Sequence, residues 1–256
     1  MNIGIDLGGF WTWFLLWVRF TSLLTVLPGI GTEEIPTPFR ALLAVALSFV
    51  LVVTGASAVA PESLLQGLLM ITSEIFLGYL IGVIPSLVVA SAAIAGQLTA
   101  GVIGLGQASM IDHSLGEQST TIGRLQSLLA SVIFLLVNGH HTVIRAVSKI
   151  SGDVGIGMFH PGEDTFQIFL ERFKEAFSLA IVIASPILVT ILVTQFVLGL
   201  LTKFVPQVNV FIISLPLTVG VGLFVLDYTL PAFVIHVAEQ FGAIEESVER
   251  MFLSSI

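Results

Sequence analysis

The stretch Gln97-Leu98-Thr99-Ala100-Gly101-Val102-Ile103-Gly104-Leu105-Gly106-Gln107-Ala108-Ser109-Met110-Ile111-Asp112 decides how this chain is read. It carries no charge before Asp112, and glycine recurs at Gly101, Gly104 and Gly106. A polar run from Asp112 to Thr121 follows, ending near Arg124. Glycine lets a backbone bend and lets another backbone come close. Long apolar segments flank the stretch on both sides. At membrane depth, irregular backbone survives where it is buried in protein or faces water. The residues therefore support two readings: the wall of a cavity or pore inside a membrane assembly, or an ordinary loop between two spans.

Composition narrows the setting. The chain has 256 residues, 55% of them hydrophobic and 10% charged, with a mean hydropathy of +1.04. A soluble domain carries about 25% charged residues. So few charges cannot cover a water-facing surface, which excludes a soluble enzyme and points to lipid or other apolar protein as the surroundings. The net charge of -8, with no cluster of Lys and Arg, disfavours nucleic acid. Cysteine is absent, which excludes disulfides and thiolate metal sites. Met1–Asp6 lacks the positive start of a secretory signal, so the first apolar stretch is expected to persist in the mature protein.

About six apolar segments follow one another, each judged against the roughly 20 residues that span a bilayer. The first, Gly9–Leu27, opens with Trp11, Trp13 and Trp17 as interface anchors do. Arg19 lies inside it, either facing protein or water or snorkelling to an interface. A turn-rich linker, Pro28–Pro38, leads to a short second segment, Phe39–Thr54. The third, Ser63–Gly101, would reach roughly 57 Å as one helix, against a hydrocarbon core of about 30 Å. It either protrudes beyond the bilayer or folds back, with a kink expected at Pro85. Gly78 and Gly82, then Ala92, Gly96, Ala100 and Gly104, recur at four-residue spacing, which suits close helix packing. Glu74 is its interior carboxylate. With no basic residue near it in sequence, it reads as an interhelical hydrogen-bonding group rather than an ion site.

The fourth segment, Leu125–Val147, is interrupted by Asn138-Gly139-His140-His141. Adjacent histidines point about 100° apart on a helix and make a poor chelating pair. Lys149–Glu175 is the longest hydrophilic connection. Within it, Thr165–Lys174 reads as a short amphipathic helix with Phe166, Phe169, Leu170 and Phe173 on one face and Asp164 or Thr165 as N-cap. The fifth segment, Phe177–Leu201, is expected to bend at Pro186, and the tip Thr202–Val210 follows. The sixth runs from Phe211 to Leu230, contains Asp227, and is expected to break at Pro231. The tail Phe233–Phe252 is amphipathic and acidic, so it is expected to pack on protein rather than on anionic lipid. If there are six simple spans, Lys and Arg are divided too evenly to fix an orientation. No nucleotide loop, nucleophile elbow or zinc-protease motif is present. The expected fold class is all-α, a multi-helix integral membrane or membrane-assembly subunit.

Several of these residues, in this order and spacing, resemble the FliR family of the type III export apparatus, which has flagellar and virulence-secretion branches. Arg19, Pro28, Ile35-Pro36 and Arg40 resemble its opening pattern. Ala95-Gly96-Gln97 with Gly104–Asp112 resembles its central glycine-rich motif. Asn138-Gly139-His140 and Val205–Phe211 resemble two further signatures. His113 stands where the family often has proline, and Gln107 where it often has an aromatic residue. The resemblance spans essentially the whole chain.

The resemblance implies a non-enzymatic export gate without cofactor or metal. The whole chain, 1–256, would be a single subunit, with helices over 1–150 and a linker, hairpin and tail over 151–256. Long kinked helices would pack in a helical pore complex with FliP and FliQ, in the bacterial inner membrane at the flagellar basal body. That complex would project toward the periplasm. FlhB and FlhA would associate with it, and unfolded flagellar substrates would pass through. A plug loop would lie at about 104–123, with Gly104, Leu105, Gly106, Gln107, Ser109, Met110, Ile111 and Asp112 as its residues. The tip residues Lys203, Pro206, Gln207 and Asn209 would contact a partner, FlhB, at the inner mouth. The central motif leans toward the flagellar branch. Two other readings compete: an ion-coupled solute transporter using Arg19, Glu74 or Asp227, which would require inverted repeats, and an intramembrane enzyme using His140 or His141.

Overall fold

The computed structural model describes residues 7–31, 35–105, 121–153, 155–204 and 210–253. The described residues form eight helices and no strand, so the fold is all-α. They are α1 (Leu7–Val26), α2 (Thr37–Val53), α3 (Leu64–Ile103), α4 (Thr121–Leu136), α5 (Gly139–Asp153), α6 (Glu163–Phe204), α7 (Val210–Gly242) and α8 (Ile244–Leu253). The chain divides into two compact units, 1–87 with 134–173 and 240–256, and 88–133 with 174–239. α3, α6 and α7 each contribute one part to either unit.

The first unit is built around α1. Its Leu15, Leu16, Phe20, Leu23 and Leu24 are fully buried, and α1 packs along α2. Leu15 and Leu16 meet Met70 and Ile156, with Trp11, Leu51 and Val52 around them. Thr12 accepts the Ala58 N–H at 2.9 Å and donates to the Gly8 carbonyl at 2.8 Å, which fixes the chain after α2 onto α1. Arg40 donates to the carbonyls of Ile35 (3.1 Å) and Gly31 (3.4 Å), tying the start of α2 to the preceding turn. In the same unit Phe134 meets Phe241 with ring centroids 5.1 Å apart. α8 packs against α5 through buried Ile244 and Val248, while Glu246 pairs outward with Arg250, as its amphipathic pattern requires.

The second unit has its own apolar centre. Ala100, Ile103, Ile122, Ile187 and Ile191 are buried there, covered by Val219, Val221, Val225 and Leu226. α3 ends at Gly104, whose φ of +96° only glycine adopts without strain. The Leu105 N–H returns to the Ala100 carbonyl at 3.1 Å, the bond that closes a Schellman terminus. Thr218 of α7 donates to the Ile103 carbonyl at 3.2 Å, satisfying another of the carbonyls a helix end leaves open.

Three sequence expectations need correction. The amphipathic segment Thr165–Lys174 and the span Phe177–Leu201 are not two helices but one, α6, 42 residues long. Glu175 and Ala176 between them are helix formers, and no glycine or proline interrupts the run. Neither Asp164 nor Thr165 caps it from outside. The helix opens at Glu163, and the Thr165 hydroxyl reaches back to accept the Gly162 N–H at 3.4 Å, half of a capping box. Third, Pro231 does not break the last span. α7 runs through Pro216 and Pro231, as α6 runs through Pro186 and α3 through Pro85. At Pro186 the missing amide frees the Val182 carbonyl, which accepts from the Ser185 hydroxyl at 2.9 Å.

Three helical stretches are long and apolar enough to cross a membrane: Leu64–Ile103, Glu163–Phe204 and Ile212–Arg250. α4 and α5 make a fourth if they count as one bent crossing. The bend falls at Asn138, in the left-handed region at φ +58°, a conformation asparagine tolerates better than most residues. A side chain on the following Gly139 would run into the Phe134 ring. The left-handed backbone at Asn138 and the lack of space at Gly139 give the first two residues of the Asn138-Gly139-His140 signature a structural cause.

Candidate functional site

Two charges from separate apolar helices meet inside the first unit. Arg19 of α1 and Glu74 of α3 are both fully buried. The Arg19 Nη2 donates to Glu74 Oε1 at 2.8 Å, while its Nε pairs with Oε2. This fork-on-carboxylate geometry is the strong, directional form of the ion pair. Glu74 Oε1 also accepts the Gly157 N–H at 2.6 Å. Helices α1 and α3 and the segment before α6 are thereby joined at one carboxylate. Glu74 therefore has the basic partner that sequence proximity did not reveal, and Arg19 faces protein rather than snorkelling. Two lone charges of opposite sign, in the first and third apolar segments, were the available signal. A separation of 55 residues hid it.

The small residues of α3 fall into two groups with different neighbours. A side chain at Gly78 would collide with Ser22 and the Arg19 carbonyl of α1. One at Gly82 would lie 2.9 Å from the Leu23 carbonyl. Ala92 and Ala100 are fully buried. In the second unit a Cβ at Gly96 would lie 2.5 Å from Gly123 Cα of α4. α3 thus meets α1 backbone-close at one end and α4 at the other.

Of the residues assigned to a plug loop, Gly104 and Leu105 form the terminus of α3, and Leu105 is exposed. Gly106, Gln107, Ser109, Met110, Ile111 and Asp112 lie outside the described residues. Beside Gly104 runs an open groove of about 590 Å³, whose wall includes Val102, Gln195, Ser214, Leu215 and Thr218. Of the tip residues, Lys203 is exposed in the last turn of α6, where a cation opposes the negative end of the helix. Pro206, Gln207 and Asn209 lie outside the described residues.

The rings of His140 and His141 lie 4.1 Å apart. Among the described residues no group of three or more His, Cys, Asp or Glu is placed to hold a metal. Asp227 is exposed on α7. The apolar face of Phe166, Leu170 and Phe173 at the start of α6 is also exposed.

Large apolar side chains facing outward dominate α6 and α7. Only 33% of the α6 span window and 17% of the Ile212–Arg250 window is buried. A helical membrane protein with a charge-paired interior and so much bare apolar surface is defined by what surrounds it. Residues 10–244 match the family of bacterial export proteins, family 1. The chain belongs to that family, which includes the FliR proteins of the flagellar export system. It is 32% identical to flagellar biosynthetic protein FliR of Aquifex aeolicus, over 90% of this chain and 89% of that one. It is 25% identical to FliR of Bacillus subtilis, over 98% and 97% of the two chains. Yop proteins translocation protein T of Yersinia pestis is 26% identical over 59% of this chain and 58% of its own.

Proposed function

We propose that the chain is a core subunit of a flagellar type III protein export gate, which assembles with FliP and FliQ into a pore for unfolded flagellar substrates. One observation carries the reading. A chain with FliR relatives along nearly its whole length leaves two of its three long apolar spans largely uncovered. Sister subunits in the inner membrane or the basal body would bury those faces, and FlhB and FlhA would dock on the assembly. The flagellar branch is favoured over the virulence branch because flagellar relatives match between 64% and 98% of the chain, against 59% for the Yersinia protein.

In this reading the segment about 104–123 closes the pore. Leu105, Met110 and Ile111 would pack against partner side chains, with methionine able to reshape its contacts. The hydrogen-bonded terminus of α3 at Gly104 would give that segment its point of departure. Lys203, Pro206, Gln207 and Asn209 would form the inner-mouth contact with FlhB. The small-residue positions Gly78, Gly82, Ala92, Gly96 and Ala100 would let the helices pack close enough to leave room for sister subunits.

Co-purification of the tagged chain from native membranes tests the assembly, with FliP- and FliQ-like partners expected in a fixed ratio. Recovery of the chain alone would refute it. Deleting residues within 106–116 tests the plug: small-molecule leakage through membranes carrying the complex should rise, and unchanged leakage would remove the loop from that role. Replacing Gln207 and Asn209 by Leu should reduce FlhB recovery, and full recovery would place the FlhB contact elsewhere.

A further inference from the structure

This inference rests on the reading of the chain as one subunit of an assembly, and it names what one face of α7 accepts. The helix is divided lengthwise. Val219, Val221, Val225 and Leu226 pack on the core of the second unit, and Thr218 is buried with them. Phe224 stands clear of that core, 74% exposed, and so does Tyr228 one turn further along, 80% exposed. They are four residues apart and so lie side by side. Asp227, three residues beyond Phe224, is exposed beside it, about 60° round the helix on the side away from Tyr228. It is the one charged residue in the sequence between Lys203 and Glu239. Among the described residues it has no hydrogen-bond or ion-pair partner. Gly220, two turns earlier, faces open space and leaves room for a close neighbour.

The surroundings of this carboxylate select its partner. Leu223, Phe224 and Tyr228 make its neighbourhood apolar, and a bare carboxylate against lipid or apolar protein is costly. A water-lined wall would satisfy the charge but would leave two large aromatic side chains wet. A guanidinium meets both demands, since it pairs with carboxylate through two parallel N–H bonds and lies flat on an aromatic face. An ammonium supplies the charge without the planar stacking surface. The charge balance of the chain agrees, with 17 acidic residues against 9 basic ones. We propose that Phe224, Asp227 and Tyr228 form a receiving site for an arginine presented by a neighbouring subunit of the assembly.

The test uses the full-length tagged chain in complexes taken from native membranes. Partner recovery with the unaltered chain is the control, and its failure would refute the assembly itself. With that control intact, Asp227→Asn should lower partner recovery at least roughly tenfold, because the arginine is left buried and unpaired. Asp227→Arg should abolish recovery, and Asp227→Glu should largely retain it. A photo-crosslinking benzoylphenylalanine in place of Tyr228 should capture a partner peptide that contains arginine. The proposal falls if the Asn and Arg variants recover partners as well as the unaltered chain. It also falls if the captured peptide lacks arginine or the crosslink goes to lipid. Labelling of Phe224→Cys by a membrane-impermeant thiol reagent in the intact complex would show a water-facing wall and overturn it as well. The natural chain has no cysteine to confuse that readout.

Discussion

The Leu64–Ile103 span and the Ile212–Arg250 span are almost equally long and apolar, yet 56% of the most apolar window of the first is buried within the chain and only 17% of that of the second. The difference lies in what each helix carries toward its neighbours. α3 presents Gly78 and Gly82 to the backbone of α1 and sets Glu74 beside Arg19. More of its apolar surface is therefore covered inside the chain. α7 turns Val221, Val225 and Leu226 inward and leaves Phe224, Asp227 and Tyr228 outside. Hydrophobicity alone does not tell a helix that completes this fold from one that awaits a neighbour. The placement of its few polar and small residues does.

The comparison can be broken most severely at the buried pair. Glu74→Ala should destabilise the purified chain in detergent by about 3–5 kcal/mol, because it strands the Arg19 guanidinium. The Gly157 N–H loses its acceptor in the same step. Replacing Arg19 and Glu74 together by Met should restore most of that loss. An unfolding free energy from denaturant titration within about 1 kcal/mol of the parent for the single variant would remove the pair from this role.

Backbone approach comes next. Gly78→Ala should cost about 1–3 kcal/mol, since the new methyl meets the Arg19 carbonyl, which cannot swing aside as a side chain can. Gly101→Ala on the same helix is the control. Nothing lies within 4 Å of its Cβ position, so it should be neutral or stabilise by up to about 1 kcal/mol. Equal effects at both positions would show that helix propensity, not packing, governs α3. Gly104→Ala should cost about 1–2 kcal/mol through its left-handed backbone, again measured as a shift in unfolding midpoint.

The smallest effect on the chain sharpens the comparison from the other side. Leu192→Ala on α6, at a position 68% exposed, should change the stability of the isolated chain by no more than about 0.5 kcal/mol. Its effect should appear in partner retention instead. A large loss of stability in the isolated chain would mean that this face is already covered.

The all-α class and most apolar helices were legible because a span needs length and hydrophobicity, both of which sequence displays directly. Helix continuity was less legible. Pro231 reads as a stop signal, but a proline removes a single amide and a packed helix can continue past it. The junction between Lys174 and Phe177 reads as a boundary because polarity changes there, yet helical backbone depends on residue type, and Glu175 and Ala176 propagate it. The Arg19–Glu74 pair was visible as two isolated charges but not as one contact, because sequence separation conceals spatial depth. Asp227 was singled out from sequence as a charge in an apolar helix. Only the fold shows that it faces outward, beside the exposed ring of Phe224.

The pairing of Arg19 with Glu74 also constrains biogenesis. The ribosome makes the guanidinium 55 residues before its carboxylate. Until α3 has emerged, α1 carries an unmatched cation, and a guanidinium without its carboxylate favours water over lipid or apolar protein. Nascent α1 should therefore stay next to the translocon until Glu74 has been synthesised, and the two helices should leave it together as a hairpin-like unit.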